Sequence, residues 1–357
     1  MPDQLESATQ SRSQPLLDLL ARFRDGQTPA LARAISIAED QREGFEELLH
    51  ELLQGGPSTK RVGLTGPPGA GKSSLLATVA HAYRDWDERV GIVAVDPTSP
   101  YSGGALLGDR IRMNDLATDP GIFIRSMASR GSLGGLATTT KEVIDLMDAF
   151  RFERVLVETV GVGQTELEIT AAADTVVVVL VPESGDAIQA MKAGLMEIAD
   201  IFVINKADRP GAGRVAKEIR QALHLRAGHG MEDLSGHHGV DLQHVAHEAR
   251  PTAVAADSQG WEIPVLETNA LDGTGVPDLV DAIEQHRVWL ESAGELIARR
   301  RDRARGRVRD VVEREMSRVA WSSDAVRRGL DEGVDLIASG AGTPYSVARE
   351  ILALLLR

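Results

Sequence analysis

The chain has no cysteine, so neither a disulfide framework nor a thiolate metal site is open to it. That absence fits a reducing compartment. Aromatic residues make up only 4% of 357 positions, so any core must be built mainly from Val, Leu, Ile and Ala. With 43% hydrophobic residues, such a core is large enough for one sizeable domain with helical additions. Basic residues are outnumbered, 39 against 53 acidic ones. The resulting formal charge of −14 argues against a surface built to neutralise nucleic-acid phosphates or to lie on anionic lipid. The longest apolar run, Thr175 to Val181, has the length of a strand and is too short to cross a bilayer. Residues 1–14 carry neither the apolar segment of a signal peptide nor the arginines of a transit peptide. The expectation is a cytoplasmic protein with neither nucleic acid nor membrane as a partner.

What is present centres on Gly66-Pro67-Pro68-Gly69-Ala70-Gly71-Lys72-Ser73, which matches the phosphate-binding loop G-x-x-x-x-G-K-[ST] at every fixed position. An apolar run from Val62 to Thr65 precedes it and helical spacing from Ser73 to Tyr83 follows, which is the strand, loop and helix that the motif requires. Glycines let backbone N–H groups turn towards a phosphate, and the helix N-terminus adds partial positive charge. Lys72 is then placed for the β- and γ-phosphates and the Ser73 hydroxyl for Mg²⁺, with Gly66, Pro68, Gly69, Ala70, Gly71 and Ser74 lining the nucleotide. Further Val- and Ile-rich runs, Val90 to Val95, Val155 to Val157, Thr175 to Val181 and Ile201 to Ile204, alternate with helical segments such as Leu136 to Phe150 and Ala187 to Ala199. That alternation predicts an α/β fold, a doubly wound and mainly parallel sheet, with ligand loops at the carboxyl ends of its strands.

Two more signals lie at such ends. Glu158-Thr159-Val160-Gly161 offers an acid able to hold Mg²⁺ through water and a glycine whose N–H can meet a γ-phosphate. Lys72, Glu158 and Gly161 are therefore the candidate catalytic residues. Asn205-Lys206-Ala207-Asp208 is more specific, because the Asp208 carboxylate can accept from both N1–H and the 2-amino group of guanine, donors that adenine lacks. Thr268-Asn269-Ala270, after a strand expected at Ile263 to Leu266, can close on the base through the N–H of Ala270.

Together with Asp96-Pro97-Thr98-Ser99, Gly108-Asp109-Arg110-Ile111-Arg112-Met113, Gly131-Ser132-Leu133-Gly134-Gly135-Leu136 and the continuation Val162-Gly163-Gln164, these motifs resemble, in order and spacing, the MeaB/ArgK-type G proteins. Those are GTPase chaperones of adenosylcobalamin-dependent acyl-CoA mutases, and the resemblance spans roughly residues 15–357. It implies the signal-recognition and metallochaperone branch of P-loop GTPases, a helical N-terminal extension and a dimerising C-terminal arm. It also implies Mg²⁺ bound with GTP or GDP by Ser73, Asp109 and Glu158, with Asp96 close by. Asp96 is expected at a strand end, whereas Asp109 lies in a glycine-rich loop where a solvated turn residue is the alternative. A third switch loop is implied at Pro182 to Asp186, with Asp186, Gln189 and Lys192 as a polar stripe on the following helix; a plain N-cap at Asp186 is the other reading.

The expected organisation is a helical extension at 1–59, in which Thr28-Pro29 caps the second helix, a GTPase domain at 60–292 and a helical dimerisation arm at 293–357. An insert at about 224–260 holds six of the nine histidines, His224, His229, His237, His238, His244 and His247. Its glycines and polar filling suit a solvated insert, and the i, i+3 spacing of His244 and His247 leaves a metal-binding segment as the alternative. The function expected is GTP hydrolysis that gates cofactor loading and protection of an acyl-CoA mutase by a homodimeric chaperone. A nickel or cobalt insertion GTPase and a protein kinase linked to amino-acid transport are the rival classes.

Overall fold

A computed structural model describes residues 14–96, 116–128, 138–159, 168–183, 194–226 and 260–355, with the side chains of Asp96, Ala128 and Thr138 left aside. The chain divides into two compact units, residues 1–296 and 297–357.

Seven parallel strands make the sheet of the first unit: β1 (Lys60–Thr65), β2 (Val90–Asp96), β3 (Ile122–Ala128), β4 (Arg154–Thr159), β5 (Thr175–Leu180), β6 (Ile201–Ile204) and β7 (Val265–Glu267). Their order is β3-β2-β4-β1-β5-β6-β7, so the winding reverses at β1. The register sets Leu64 beside Glu158 and Thr65 beside Val178, so the strands carrying the motifs finish along one edge. β4 and β5 are buried at every position, as their Val-rich sequences require. β3 is an additional strand that the sequence reading did not identify. It lies at the sheet edge beside β2, and its interior Arg125 pairs with Glu39.

Helices cover both faces. On one, α4 (Lys72–Asp85) and α8 (Val276–Ser292) bury Leu75, Leu76, Val79, Leu279 and Ile283 against Val62, Leu64 and Leu156. The other face is covered by α1 (Gln14–Arg24), α2 (Thr28–Glu39), α3 (Phe45–Leu52), α5 (Thr138–Ala149), the short α6 (Leu195–Ile198) and α7 (Ala212–Arg226). Leu20, Leu31 and Leu48 join Val143, Ile144, Val157 and Val178 in one cluster, so the N-terminal helices share the core of the sheet. α2 starts at Thr28 itself, with Gln27 as N-cap and Pro29 in the first turn. This corrects the assignment of Thr28 as the cap: the Gln27 carbonyl accepts from Ala30 N, and no side chain caps the helix.

The amino edge is held by buried charge. Arg154, only 1% exposed, donates from Nη2 to Glu284 Oε2 at 3.0 Å and Glu88 Oε1 at 3.2 Å, and its guanidinium lies 4.2 Å from the Tyr83 ring centroid. Burial raises the Asp148 pKa, but donors from Arg61, Ser58 N and Thr59 N outweigh it and hold the carboxyl below the usual aspartate range. His286 is fully buried, with Nδ1 2.9 Å from Thr175 Oγ1 and Nε2 3.3 Å from Asp200 Oδ1.

α9 (Glu295–Ser322) crosses from the first unit into the second, which also contains α10 (Asp324–Ala338) and α11 (Pro344–Leu355). α11 opens with a reciprocal cap, Ser346 N to Thr343 Oγ1 at 3.2 Å and Thr343 N to Ser346 Oγ at 2.9 Å. Val326, Val347 and Ile351 form a small core there, while α9 buries none of its residues. Among the described residues no helix is long and apolar enough to cross a membrane.

Candidate nucleotide site

The site is assembled from loops that leave the carboxyl ends of β1, β4, β6 and β7. The chain turns out of β1 at Gly66, where φ is +136° and an added Cβ would sit 2.1 Å from the Val179 carbonyl oxygen, so no side chain fits. Gly71, at φ +84°, forms the N-cap of α4 and leaves no room for a Cβ against Asn205 Nδ2. Pro68 and Gly69 are exposed at the loop tip, while Gly66, Ala70, Lys72 and Ser73 are buried. The Lys72 ammonium donates to the Gly66 carbonyl at 2.9 Å and the Pro67 carbonyl at 3.1 Å. The N–H groups of the first turn of α4 have no acceptor further back in the helix, the usual basis of phosphate binding at such a terminus.

Ser73 Oγ donates to Glu158 Oε1 at 2.7 Å, a bond between residues 85 apart in sequence. Both are 6% exposed. A hydroxyl and a carboxylate are hard oxygen donors, which suits Mg²⁺, an ion that takes one or two such ligands and completes its shell with phosphate and water. Asp96 ends β2, one strand from Glu158, and its side chain is outside the described set. Asp109, Gly161, Asp186, Gln189 and Lys192 also lie outside the described residues. So do the histidines of the insert except His224, which is in α7.

Asn205, 1% exposed, joins three loops. Its Nδ2 donates to the Ala70 carbonyl at 2.9 Å, and its Oδ1 accepts from Ala270 N at 3.1 Å and Thr268 Oγ1 at 3.3 Å. The Ala270 N–H, expected to face the base, is thus engaged with Asn205. Asn269 serves its own turn, donating from Nδ2 to Asp272 Oδ2 at 2.8 Å and accepting from Leu271 N at 3.2 Å. Lys206 takes a left-handed φ of +59°, uncommon for a residue with a Cβ, and its ammonium donates to the Gly69 carbonyl at 2.8 Å. Asp208 is exposed two residues further along the same loop, and neighbouring Arg209 pairs with Glu183 beyond β5 at 2.6 Å. Sequence reasoning missed Thr78, one turn beyond Ser74 in α4, whose hydroxyl reaches the Ser74 carbonyl at 2.9 Å and the Ala270 carbonyl at 3.1 Å. A hydroxyl one helical turn past the motif was the available signal.

A parallel sheet with a phosphate loop, an acid at the neighbouring strand end and an N-K-x-D loop two strands away defines a P-loop GTPase. The chain belongs to the MeaB family, the methylmalonyl-CoA mutase-associated GTPases, whose family model matches residues 31–325. It is 42% identical over 336 residues to a Pyrococcus abyssi protein assigned by name to the GTPases, covering 94% of this chain and 95% of that one. GTPase ArgK of Escherichia coli is 32% identical over 340 residues, covering 94% and 95% of the two chains. The mouse mitochondrial methylmalonic aciduria type A homolog is 30% identical over 344 residues, or 92% of this chain and 76% of that one. Among solved structures, a LAO/AO transport system kinase matches in fold, with a TM-score of 0.65 at 23% identity over 96% of this chain and 98% of that one.

In Asn205→Ala the Ala70 carbonyl, the Ala270 N–H and the Thr268 hydroxyl lose their shared partner, at about 1–3 kcal/mol for each group left unsatisfied. GDP affinity by calorimetry should fall by about tenfold or more, and an unchanged affinity would show that the loops hold without it.

Proposed function

We propose that this GTPase is a cytoplasmic switch that gates adenosylcobalamin loading and protection of an acyl-CoA mutase. The observation that carries the reading is the family match, whose description ties these GTPases to methylmalonyl-CoA mutase. The name of the mouse relative, from methylmalonic aciduria, points to the same chemistry.

GTP and water give GDP and phosphate, a reaction catalysed chiefly by positioning and by charge placed where it develops. Lys72 exchanges the carbonyls of Gly66 and Pro67 for β- and γ-phosphate oxygens. Ser73 and Glu158 would hold Mg²⁺, Glu158 through water, and Asp96 and Asp109 would add acidic groups to its surroundings. The ion, when bound, neutralises charge shared by the β- and γ-phosphates. The Gly161 N–H would meet the γ-phosphate. Ser74 and the loop backbone at Gly66, Pro68, Gly69, Ala70 and Gly71 cradle the phosphates, while Asn205, Lys206, Asn269 and Ala270 frame the base. Asp186, Gln189 and Lys192 relay the nucleotide state to the mutase.

Asp208 selects guanine. GTP should bind far more tightly than ATP, and Asp208→Asn should weaken GTP while admitting xanthosine triphosphate, whose 2-oxo group needs a donor; equal ATP and GTP affinity in the parent contradicts this.

Residues 293–357 form a dimerisation arm. Val308, Val312, Met316 and Val319 are all exposed along α9, an apolar stripe that a second copy would cover. Light scattering at micromolar concentration should give a dimer for the full chain and a monomer for a chain ending at Ser292; a monomeric full chain removes the arm.

The switch itself is tested by adding methylmalonyl-CoA mutase to the hydrolysis assay. Coupling of about 1–3 kcal/mol, typical of linked sites, corresponds to a roughly 5- to 150-fold acceleration. If neither this mutase nor another adenosylcobalamin-dependent acyl-CoA mutase changes the rate, the chaperone reading fails.

A further inference from the structure

The backbone pairing of β1 with β4 runs as far as Leu64 and Glu158. One residue further a side-chain bond takes over: Thr159 Oγ1 lies 2.9 Å from Thr65 Oγ1. Both residues are sealed from solvent, at 1% and 0% exposure. Nothing in strand packing demands hydroxyls there. Valine has nearly the same shape, suits a buried strand better, and occupies neighbouring positions 157 and 178. A buried hydroxyl requires a hydrogen-bond partner, and here Thr159 donates to Thr65.

What hydroxyls add over methyl groups is direction. Thr65 leads into Gly66, whose carbonyl holds Lys72, and Thr159 follows Glu158, whose carboxylate holds Ser73. Successive strand residues face opposite sides of a sheet, so Glu158 is tied to α4 on one face and Thr159 to Thr65 on the other. The same two chain segments are thus bonded across both faces. A strand end held in this way cannot tilt without breaking one of the two bonds.

We infer that Thr65 and Thr159 are a positioning pair for GTP hydrolysis, their bond holding the end of β4, and with it the Glu158 carboxylate, at the height the phosphate loop requires. Neither side chain touches the nucleotide; both act through the backbone they share with Gly66 and Glu158. The inference rests on the nucleotide site proposed above and needs no client protein, so the isolated full chain is the material for its test.

GTP turnover and GDP affinity are to be measured for the parent, Thr159→Val, Thr159→Ser, Thr65→Val and the double valine. Thr159→Val should hydrolyse GTP at least about fivefold more slowly, as expected when a reacting group is displaced by a fraction of an ångström, with GDP affinity within about twofold of the parent. Thr159→Ser, which keeps the hydroxyl, should restore the rate. The double valine should be no slower than the slower single variant, because a shared bond is lost only once. A parental rate in Thr159→Val overturns the inference, as does GDP affinity falling in step with the rate, failure of serine to restore it, or a double variant slower by the product of the singles. Should Thr159→Val lose GDP binding altogether through misfolding, the double valine, which leaves no buried hydroxyl unmatched, carries the same expectation. A parental rate in that variant is then the overturning result. A parent without turnover would instead strike at the hydrolytic activity, and the same assay reads that separately.

Discussion

The carboxamide of Asn205 is the point on which the site depends. Three loops leave the sheet at β1, β6 and β7, and each must stop where a nucleotide can touch all of them. Loops that meet only in the presence of ligand would pay their ordering cost at each binding event. Here one buried side chain donates to Ala70 and accepts from Ala270 and Thr268, so the phosphate loop, the N-K-x-D loop and the loop after β7 are already joined. The bonds bring in no net charge, and the amide uses both donor and acceptor sides, as a buried amide should.

The two edges of the sheet use polar groups in opposite ways. At the amino edge, the largely buried guanidinium groups of Arg154 and Arg61 pair with carboxylates, Glu88 and Glu284 for the one and Asp145 and Asp148 for the other. Such pairs contribute little net stability, yet removing one partner strands a buried charge, so they fix where the surrounding elements sit. At the carboxyl edge the polar groups are lysine ammonium groups on backbone carbonyls and a hydroxyl on a carboxylate. Those bonds are of a kind that phosphate oxygens and Mg²⁺ can take over.

Most of the fold could be read from the chain because buried parallel strands must be dense in Val and Ile, and β2, β4, β5 and β6 are. β3 escaped because it lies at the sheet edge, where half-exposed positions tolerate Arg125 and Ser126, and these cut its apolar run short after Ile124. The phosphate loop was legible because local geometry fixes its glycines and lysine in one short stretch. The hub at Asn205 was not, since its partners lie 135, 65 and 63 residues away and nothing local marks them. The Ala270 N–H was expected to meet the base, and its acceptor in the structure is Asn205. Thr65 and Thr159 read as ordinary strand ends until the register set them side by side.

The proposed switch links nucleotide state and mutase binding through one protein. Linkage is reciprocal for binding, so a partner that responds to GTP must be bound with different affinity in the two nucleotide states. The most direct measurement is the dissociation constant of the full chain for methylmalonyl-CoA mutase, once with GDP and once with a non-hydrolysable GTP analogue. The proposed switch requires values that differ by about fivefold or more. Equal values with both nucleotides, for a mutase that does bind, would contradict it.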